Sequence, residues 1–238
     1  MDDGPQYRRI LIKLSGEWLM GDSSYGIEPG MVKILAGQIK KINDNGVETG
    51  VVIGGGNIFR GLKASQAGMD RVTADHMGML ATVINSLALQ DQLIKNGMPA
   101  RVMTAVDMPA FADTYTQRQA RQLLADKTIV IMAAGTGWPF FTTDTAAALR
   151  AAETGAQLLI KGTRVDGVYS SDPEIDSKAE FFPELTFDEV LARDLKVMDA
   201  TAITLCRDNK IPIRVINLNI EDNLYRAARG ESLGTLVQ

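Results

Sequence analysis

The sequence predicts an α/β protein built on a central, mainly parallel sheet with helices on both faces. Short apolar runs of strand character alternate with longer stretches of helical spacing, the pattern of a parallel sheet. Three of the breaks after such runs are rich in small residues: Ser15-Gly16, Gly54-Gly55-Gly56 and Gly135-Thr136-Gly137. Sheets of this kind bind ligands beyond the carboxyl ends of their strands, so these breaks are the first functional signal. The chain has 238 residues, 45% of them apolar and 23% charged, enough for one sizeable core and short for two large domains.

The elements follow in order. Arg9 to Leu14 reads as a strand. Met31 to Asn45 has helical spacing and stops at Gly46, a suitable C′ position. Val47 to Ile53 is a strand that runs into the triple glycine. Met69 to Lys95 is a long helix closed by Asn96-Gly97, and Ala100 to Thr104 a short strand. Tyr115 to Ala125 is helical, Thr128 to Ala133 strand, Thr143 to Glu153 helical and Ala156 to Ile160 strand. Asp166-Gly167, between Val165 and Val168, has the form of a hairpin turn. Tyr169 to Phe182 is polar and reads as an exposed loop. Phe187 to Arg193 and Ala200 to Asn209 are helical, Ile213 to Asn217 is strand, Asp222 to Arg229 helix, and Gly234 to Val237 an edge strand.

Composition and motifs exclude several functions. A net charge of −4 and a pI near 5.1 argue against a nucleic-acid binder, which needs a basic surface. One cysteine, Cys206, leaves no intramolecular disulfide and fits a reducing cytoplasm. The segment Met1 to Arg9 has no apolar signal core, and no run approaches the roughly 20 residues of a membrane span. There is no G-x-x-x-x-G-K-[ST] loop, no H-R-D or D-F-G set and no G-x-S-x-G elbow. With one histidine, His76, and one cysteine, a structural zinc site is excluded.

Four stretches can carry chemistry. Lys13-Leu14-Ser15-Gly16 places an ammonium at a strand end beside a small-residue turn whose N–H groups suit phosphate oxygens. Gly54 to Gly61 (GGGNIFRG) leaves backbone donors bare, and Arg60 adds a planar fork for phosphate. In the loop from Thr136 to Asp144, Thr142 and Thr143 precede a helix that one of them can cap. Asp144 can cap it too, or can orient catalytic lysines. After Lys161-Gly162-Thr163, the segment to Asp172 can present Tyr169 and Asp172 to a purine base and ribose. In Asp75-His76-Met77-Gly78-Met79 and the following Leu80, Met77, Met79 and Leu80 read as core and His76 as an ordinary helix residue. Asp75 is the carboxylate suited to ribose hydroxyls.

Taken together, KLSGE at Lys13 to Glu17, GGGNIFRG at Gly54 to Gly61, DHMGMLAT at Asp75 to Thr82, GTGWPFFTTD at Gly135 to Asp144, VDGVY at Val165 to Tyr169 and KVMD at Lys196 to Asp199 resemble the amino acid kinase superfamily and, within it, the bacterial UMP kinases. The match runs from about Arg8 to Val237. The resemblance implies a three-layer αβα sandwich forming a single domain over 1–238. An N-terminal acceptor lobe would span roughly 1–155 and a C-terminal ATP lobe roughly 156–238. It implies catalytic roles for Lys13, Asp144 and Lys161, with the lysines on opposite sides of the transferred group and Asp144 holding them. It assigns Lys13, Leu14, Ser15, Gly16, Gly56, Arg60, Thr163, Tyr169 and Asp172 to ATP. It assigns Gly55, Asp75, Thr136, Gly137, Trp138, Pro139, Phe140, Phe141, Thr142 and Thr143 to UMP. Mg²⁺ is expected on the ATP phosphates, with no metal site of the protein's own.

Further implications are UTP as inhibitor, GTP as activator through Gly21, Asp22, Ser23, Ser24, Tyr25 and Gly26, and a homohexamer. Trp18 and Trp138 depart from the family pattern, where small and polar residues are common. A phosphate-monoester acceptor is already anionic, so no general base is expected, in accord with a lone mid-helix histidine. The alternatives are another amino acid kinase acting on a carboxylate or carbamate, and a non-catalytic nucleotide sensor on the same fold.

Overall fold

The computed structural model describes residues 5–66 and 68–238, without the side chains of 62–64. Strand β1 is Arg9–Leu14. Its alternate side chains enter different cores: Ile10, Ile12 and Leu14 join one buried apolar cluster, and Leu11 joins the other. A strand covered on both faces needs such a near-continuous apolar run. A short 3-10 helix, Gly16–Met20, follows. Helix α1 is Pro29–Asp44, with Glu28 as its cap and Pro29 at the first helical position. It starts two residues before the apolar spacing does, because that proline is pre-set for a first turn.

Next come β2 (Glu48–Ile53), α2 (Gly61–Gln66), α3 (Arg71–Lys95), β3 (Ala100–Thr104), β4 (Asp113–Thr114) and α4 (Gln117–Ala125). Then follow β5 (Ile129–Ala133), α5 (Thr143–Thr154), β6 (Leu158–Thr163), β7 (Val168–Tyr169), β8 (Phe181–Phe182), β9 (Glu184–Leu185) and α6 (Phe187–Ala192). The chain closes with α7 (Ala200–Asp208), β10 (Ile213–Asn217), α8 (Asn223–Ala228) and β11 (Thr235–Val237).

Among the described residues, nine strands form one sheet in the order β4-β3-β5-β2-β1-β6-β10-β11-β9. Every neighbouring pair is parallel except β10 and β11. Leu35 and Ile39 of α1, Leu89 and Leu93 of α3 and Leu224 of α8 cover one face. Leu124 of α4, Ala147 and Ala151 of α5, Val190 of α6 and Ile203 of α7 cover the other. The expected three-layer αβα sandwich is therefore the fold.

Three local expectations change. Strand β6 runs on to Thr163, so Lys161 lies within it and not after it. Asp166-Gly167 is a bend and no hairpin: β7 pairs with β8, while β6 is already flanked by β1 and β10. Gly167 packs there against Thr235, whose hydroxyl would lie 2.4 Å from an added Cβ. Strand β11 is internal to the sheet, because β9 pairs on its far side and forms the edge.

Strand order reverses at the centre. From β1 the chain builds one half through β2, β5 and β3, and from β6 the other through β10 and β11. The register at that boundary sets Lys13 directly beside Lys161. Ligands bind at such switch points, beyond the carboxyl ends of the strands.

Candidate active site

The centre is built by those two strand ends and the first turn of α5. Thr142 caps α5, its hydroxyl accepting from the N–H groups of Asp144 and Thr145 at 3.1 Å. Capping thus falls to Thr142 and frees the Asp144 carboxylate. That carboxylate takes one lysine on each oxygen: Oδ1 lies 2.7 Å from Lys13 Nζ, and Oδ2 3.0 Å from Lys161 Nζ. Lys161 also donates to the Val197 carbonyl. The three side chains are 10–16% exposed. Burial pushes the Asp144 carboxyl upward, but the two ammonium charges outweigh it and hold the group below its usual value. Burial and the neighbouring Lys13 charge both push Lys161 down, with Asp144 opposing them. The trio has two cations and one anion, so it presents one unbalanced positive charge to an incoming anion.

Two glycine turns close on this centre. A Cβ on Gly16 would lie 2.3 Å from the Gly54 carbonyl oxygen, closer than any side chain tolerates. The first and second turns are therefore in direct backbone contact. A Cβ on Gly55 would meet Ala81 Cβ at 2.7 Å and the Gly78 carbonyl at 2.8 Å, so α3 packs straight onto the second turn.

A cavity of about 580 Å³ opens between that turn, α3 and the 135–143 loop. Gly55, Gly56, Arg60, Asp75, Thr136, Trp138, Phe141, Thr142 and Thr143 are among the residues lining it. Asp75 Oδ2 accepts from Arg71 Nε at 2.9 Å and from the Phe140 N–H at 2.8 Å, which ties the loop to the helix. Arg60 Nη2 pairs with Glu17 at 2.8 Å. Thr142 and Thr145 both donate to Asp199, the cap of α7, the latter at 2.9 Å.

A smaller cavity of about 250 Å³ lies on the other side, lined by Lys13, Ser15, Glu17, Trp18, Lys161, Gly162, Thr163 and Arg164. It shares the Glu17 wall with the first cavity. Through Arg164 it adjoins a third, of about 560 Å³, which holds Tyr169 and Asp172.

The structure thus gathers most of the expected site residues. Gly56 and Arg60 fall in the Asp75 cavity, away from Thr163, Tyr169 and Asp172. Leu14 is fully buried in the core, and Leu14 and Gly16 line neither cavity at the centre. Gly137, Pro139 and Phe140 shape the loop without lining the Asp75 cavity. Lys13 and Lys161 stand side by side on adjacent strands, each on one oxygen of the same carboxylate. Gly21 to Gly26 forms an exposed loop that reaches the second turn at Asn57. His76 is exposed on α3. Cys206 is buried, and burial pushes its thiol up to about 12, so it serves as core.

Glu17, Arg71 and Asp199 also belong to this centre, although the motifs that contain Glu17 and Asp199 assigned them no role. Asp199 had a signal, since an aspartate just before an apolar helix is a cap whose carboxylate can serve neighbours as well. Arg71 stands four residues before Asp75, a pairing distance on a helix. Glu17 had none beyond its place in KLSGE.

The fold as a whole is similar to that of known proteins. The family model "Amino acid kinase family" matches residues 8–217. A UMP kinase from Bacillus anthracis superposes with a TM-score of 0.94 at 38% identity, covering 98% of this chain and 96% of that one. A UMP kinase from Ureaplasma parvum gives 0.91 at 38% identity, covering 98% and 99%. A uridylate kinase from Archaeoglobus fulgidus gives 0.74 at 27% identity, covering 96% and 99%. With its glycine turns and its lysine–aspartate centre inside the matched residues, and with 38% identity to UMP kinases over nearly its whole length, the chain belongs to the amino acid kinase family, in the group that holds those UMP kinases.

Proposed function

We propose that this enzyme transfers the γ-phosphoryl group of ATP to UMP, giving UDP and ADP, as a step of pyrimidine nucleotide biosynthesis. One observation carries the reading. A cavity lined by Lys13 and Lys161 shares a wall with a cavity whose carboxylate, Asp75, and threonines suit a nucleotide. UMP would sit in the second, with Asp75 on its ribose and Arg60 near its phosphate. ATP would lay its phosphates in the first and its base near Tyr169 and Asp172. In the lobe division near residue 155 the acceptor cavity draws only on residues up to Thr143, while the donor cavity joins Lys13, Ser15, Glu17 and Trp18 with Lys161, Gly162, Thr163 and Arg164 across the two lobes.

The task of such a site is alignment and charge neutralisation. Lys13 and Lys161 flank the transferred group, Asp144 holds them in place, and no side chain serves as base. Among the described residues no group of three or more His, Cys, Asp and Glu is gathered for a metal ion. Mg²⁺ would arrive on the ATP phosphates, its usual habit. When bound, it would add positive charge to the donor phosphates beside Lys13 and Lys161.

A coupled assay with ATP against UMP, CMP, acetylglutamate, glutamate and aspartate tests the proposal. Turnover of UMP is expected, and turnover of an amino acid alone would overturn it. ATP and UMP binding without UDP would instead mark a sensor. The kcat/KM profile, which reports the free enzyme, should also fall at alkaline pH below the ordinary lysine value of 10.5, because Lys161 holds its proton less tightly than a free lysine. Lys161→Arg should move that limb upward, its guanidinium staying charged.

Regulation by UTP and GTP, the latter through Gly21 to Gly26, and residence in the cytoplasm complete the reading. No helix among the described residues is long and apolar enough to cross a membrane. A homohexamer is supported by α3, where Met77, Leu80 and Ile84 are 37%, 50% and 49% exposed along one face. An apolar stripe of this kind suits burial against a second copy. Leu80→Glu combined with Ile84→Glu should lower the mass read by light scattering, and an unchanged mass would place the interface elsewhere.

A further inference from the structure

Asn57 and Asn85 are 2% and 0% exposed and line neither cavity at the centre. Their carboxamides bond reciprocally: Asn57 Nδ2 donates to Asn85 Oδ1 at 2.9 Å, and Asn85 Nδ2 to Asn57 Oδ1 at 2.7 Å. Each amide nitrogen has a second acceptor. Asn85 Nδ2 donates to the Gly54 carbonyl at 2.7 Å, and Asn57 Nδ2 to the Gly26 carbonyl at 2.9 Å. The Gly26 N–H returns a bond to the Asn57 carbonyl, also at 2.9 Å. The Gly16 turn rests on this pair, since a Cβ there would lie 2.4 Å from Asn57 Oδ1.

One buried carboxamide pair therefore touches three segments at once. These are the 21–26 loop, the Gly54–Gly56 turn and the Lys13–Gly16 turn. We infer that Asn57, locked by Asn85, is a positioning residue that sets the spacing of the two phosphate-binding turns and makes that spacing respond to the 21–26 loop. The inference rests on the proposed phosphoryl transfer between those turns. The physical reason is economy of freedom. Each amide is saturated by fixed partners, so Gly26 cannot shift without moving the Asn57 amide, and that amide cannot turn without shifting Asn85 and the Gly54 carbonyl. In-line transfer depends on the separation of the turns, and a displacement of about 1 Å costs on the order of 100-fold in rate.

A double-mutant cycle tests it. Gly26 has φ +89°, with open space around its Cα, so Gly26→Ala disturbs the loop through backbone strain and not through a clash. Asn57→Ala is expected to lower kcat on the order of 10- to 100-fold with KM for ATP and UMP near wild type. Gly26→Ala should slow the wild-type chain but not the Asn57→Ala chain, the signature of coupled sites. Losses that multiply would overturn the inference, as would a lowered Tm with unchanged kcat per folded molecule. Should Asn57→Ala not fold, Asn57→Ser carries the same cycle. Hydrogen exchange of the 54–57 amides reads the coupling without turnover. Gly26→Ala should speed it only while Asn57 is present. A wild-type enzyme inactive on UMP would sink the proposed function, and the exchange result would still decide the role of Asn57.

Discussion

Lys13→Ala is expected to lower kcat by a factor on the order of 10² to 10³ while leaving the KM for UMP near wild type. Lys13 lines the donor-side cavity and not the one that holds Asp75, so the acceptor keeps its contacts. What is lost is a preorganised cation beside the transferred group, which matters most when charge is redistributing in the transition state. The variant should fold, because Asp144 keeps Lys161 at 3.0 Å. The Lys161 pKa should also rise, since the Lys13 charge that depresses it is gone. Steady-state kinetics with a melting curve decide the matter. A kcat near wild type, or a loss confined to UMP KM, would remove Lys13 from the role assigned to it.

Asp144→Ala should cost both activity and stability. It leaves two ammonium groups at paired positions on adjacent strands, largely buried, with their shared carboxylate gone. Removing one member of a buried ionic group costs roughly 3–5 kcal/mol. For a chain of this size that is a drop in Tm on the order of 10 °C. The pH dependence has a definite sign. In the native chain the Asp144 carboxyl is held below its ordinary 3.8, so its contribution is full above that value and fades as pH falls through the folded pKa. The variant should lack this acid-side loss. It should instead regain stability toward alkaline pH, because Lys161, no longer opposed by the Asp144 charge, is held further below its ordinary value and the unfolded chain binds more protons there. Melting curves across pH for Asp144→Ala and Asp144→Asn test this. A Tm equal to wild type at neutral pH would show that the lysines do not depend on the carboxylate.

Local periodicity and turn chemistry made much of the fold legible. The alternation of strands and helices, the helix ends at Gly46 and Asn96-Gly97, and the small-residue breaks at strand ends all depend on residues a few positions apart. The site was legible as a set of motifs, and their resemblance to a family supplied the word UMP.

Pairing across the sheet was not legible, because it depends on strand order. That order decided three things. It set Lys13 beside Lys161 and gave both to one carboxylate. It left β6 no free edge for a hairpin partner, so Asp166-Gly167 became a bend and β7 found β8. It put β11 inside the sheet. Asp144 shows the same division. Its place in a first helical turn suits a cap, and only the approach of two buried ammonium groups, with Thr142 already capping α5, makes it the centre of the site. By itself, then, the sequence determined which segments are strands, helices and anion-ready turns, since those follow from short-range geometry and solvent exposure. The tertiary structure decided which charges share a buried space, since that is settled only when distant strands take their register and water is excluded between them.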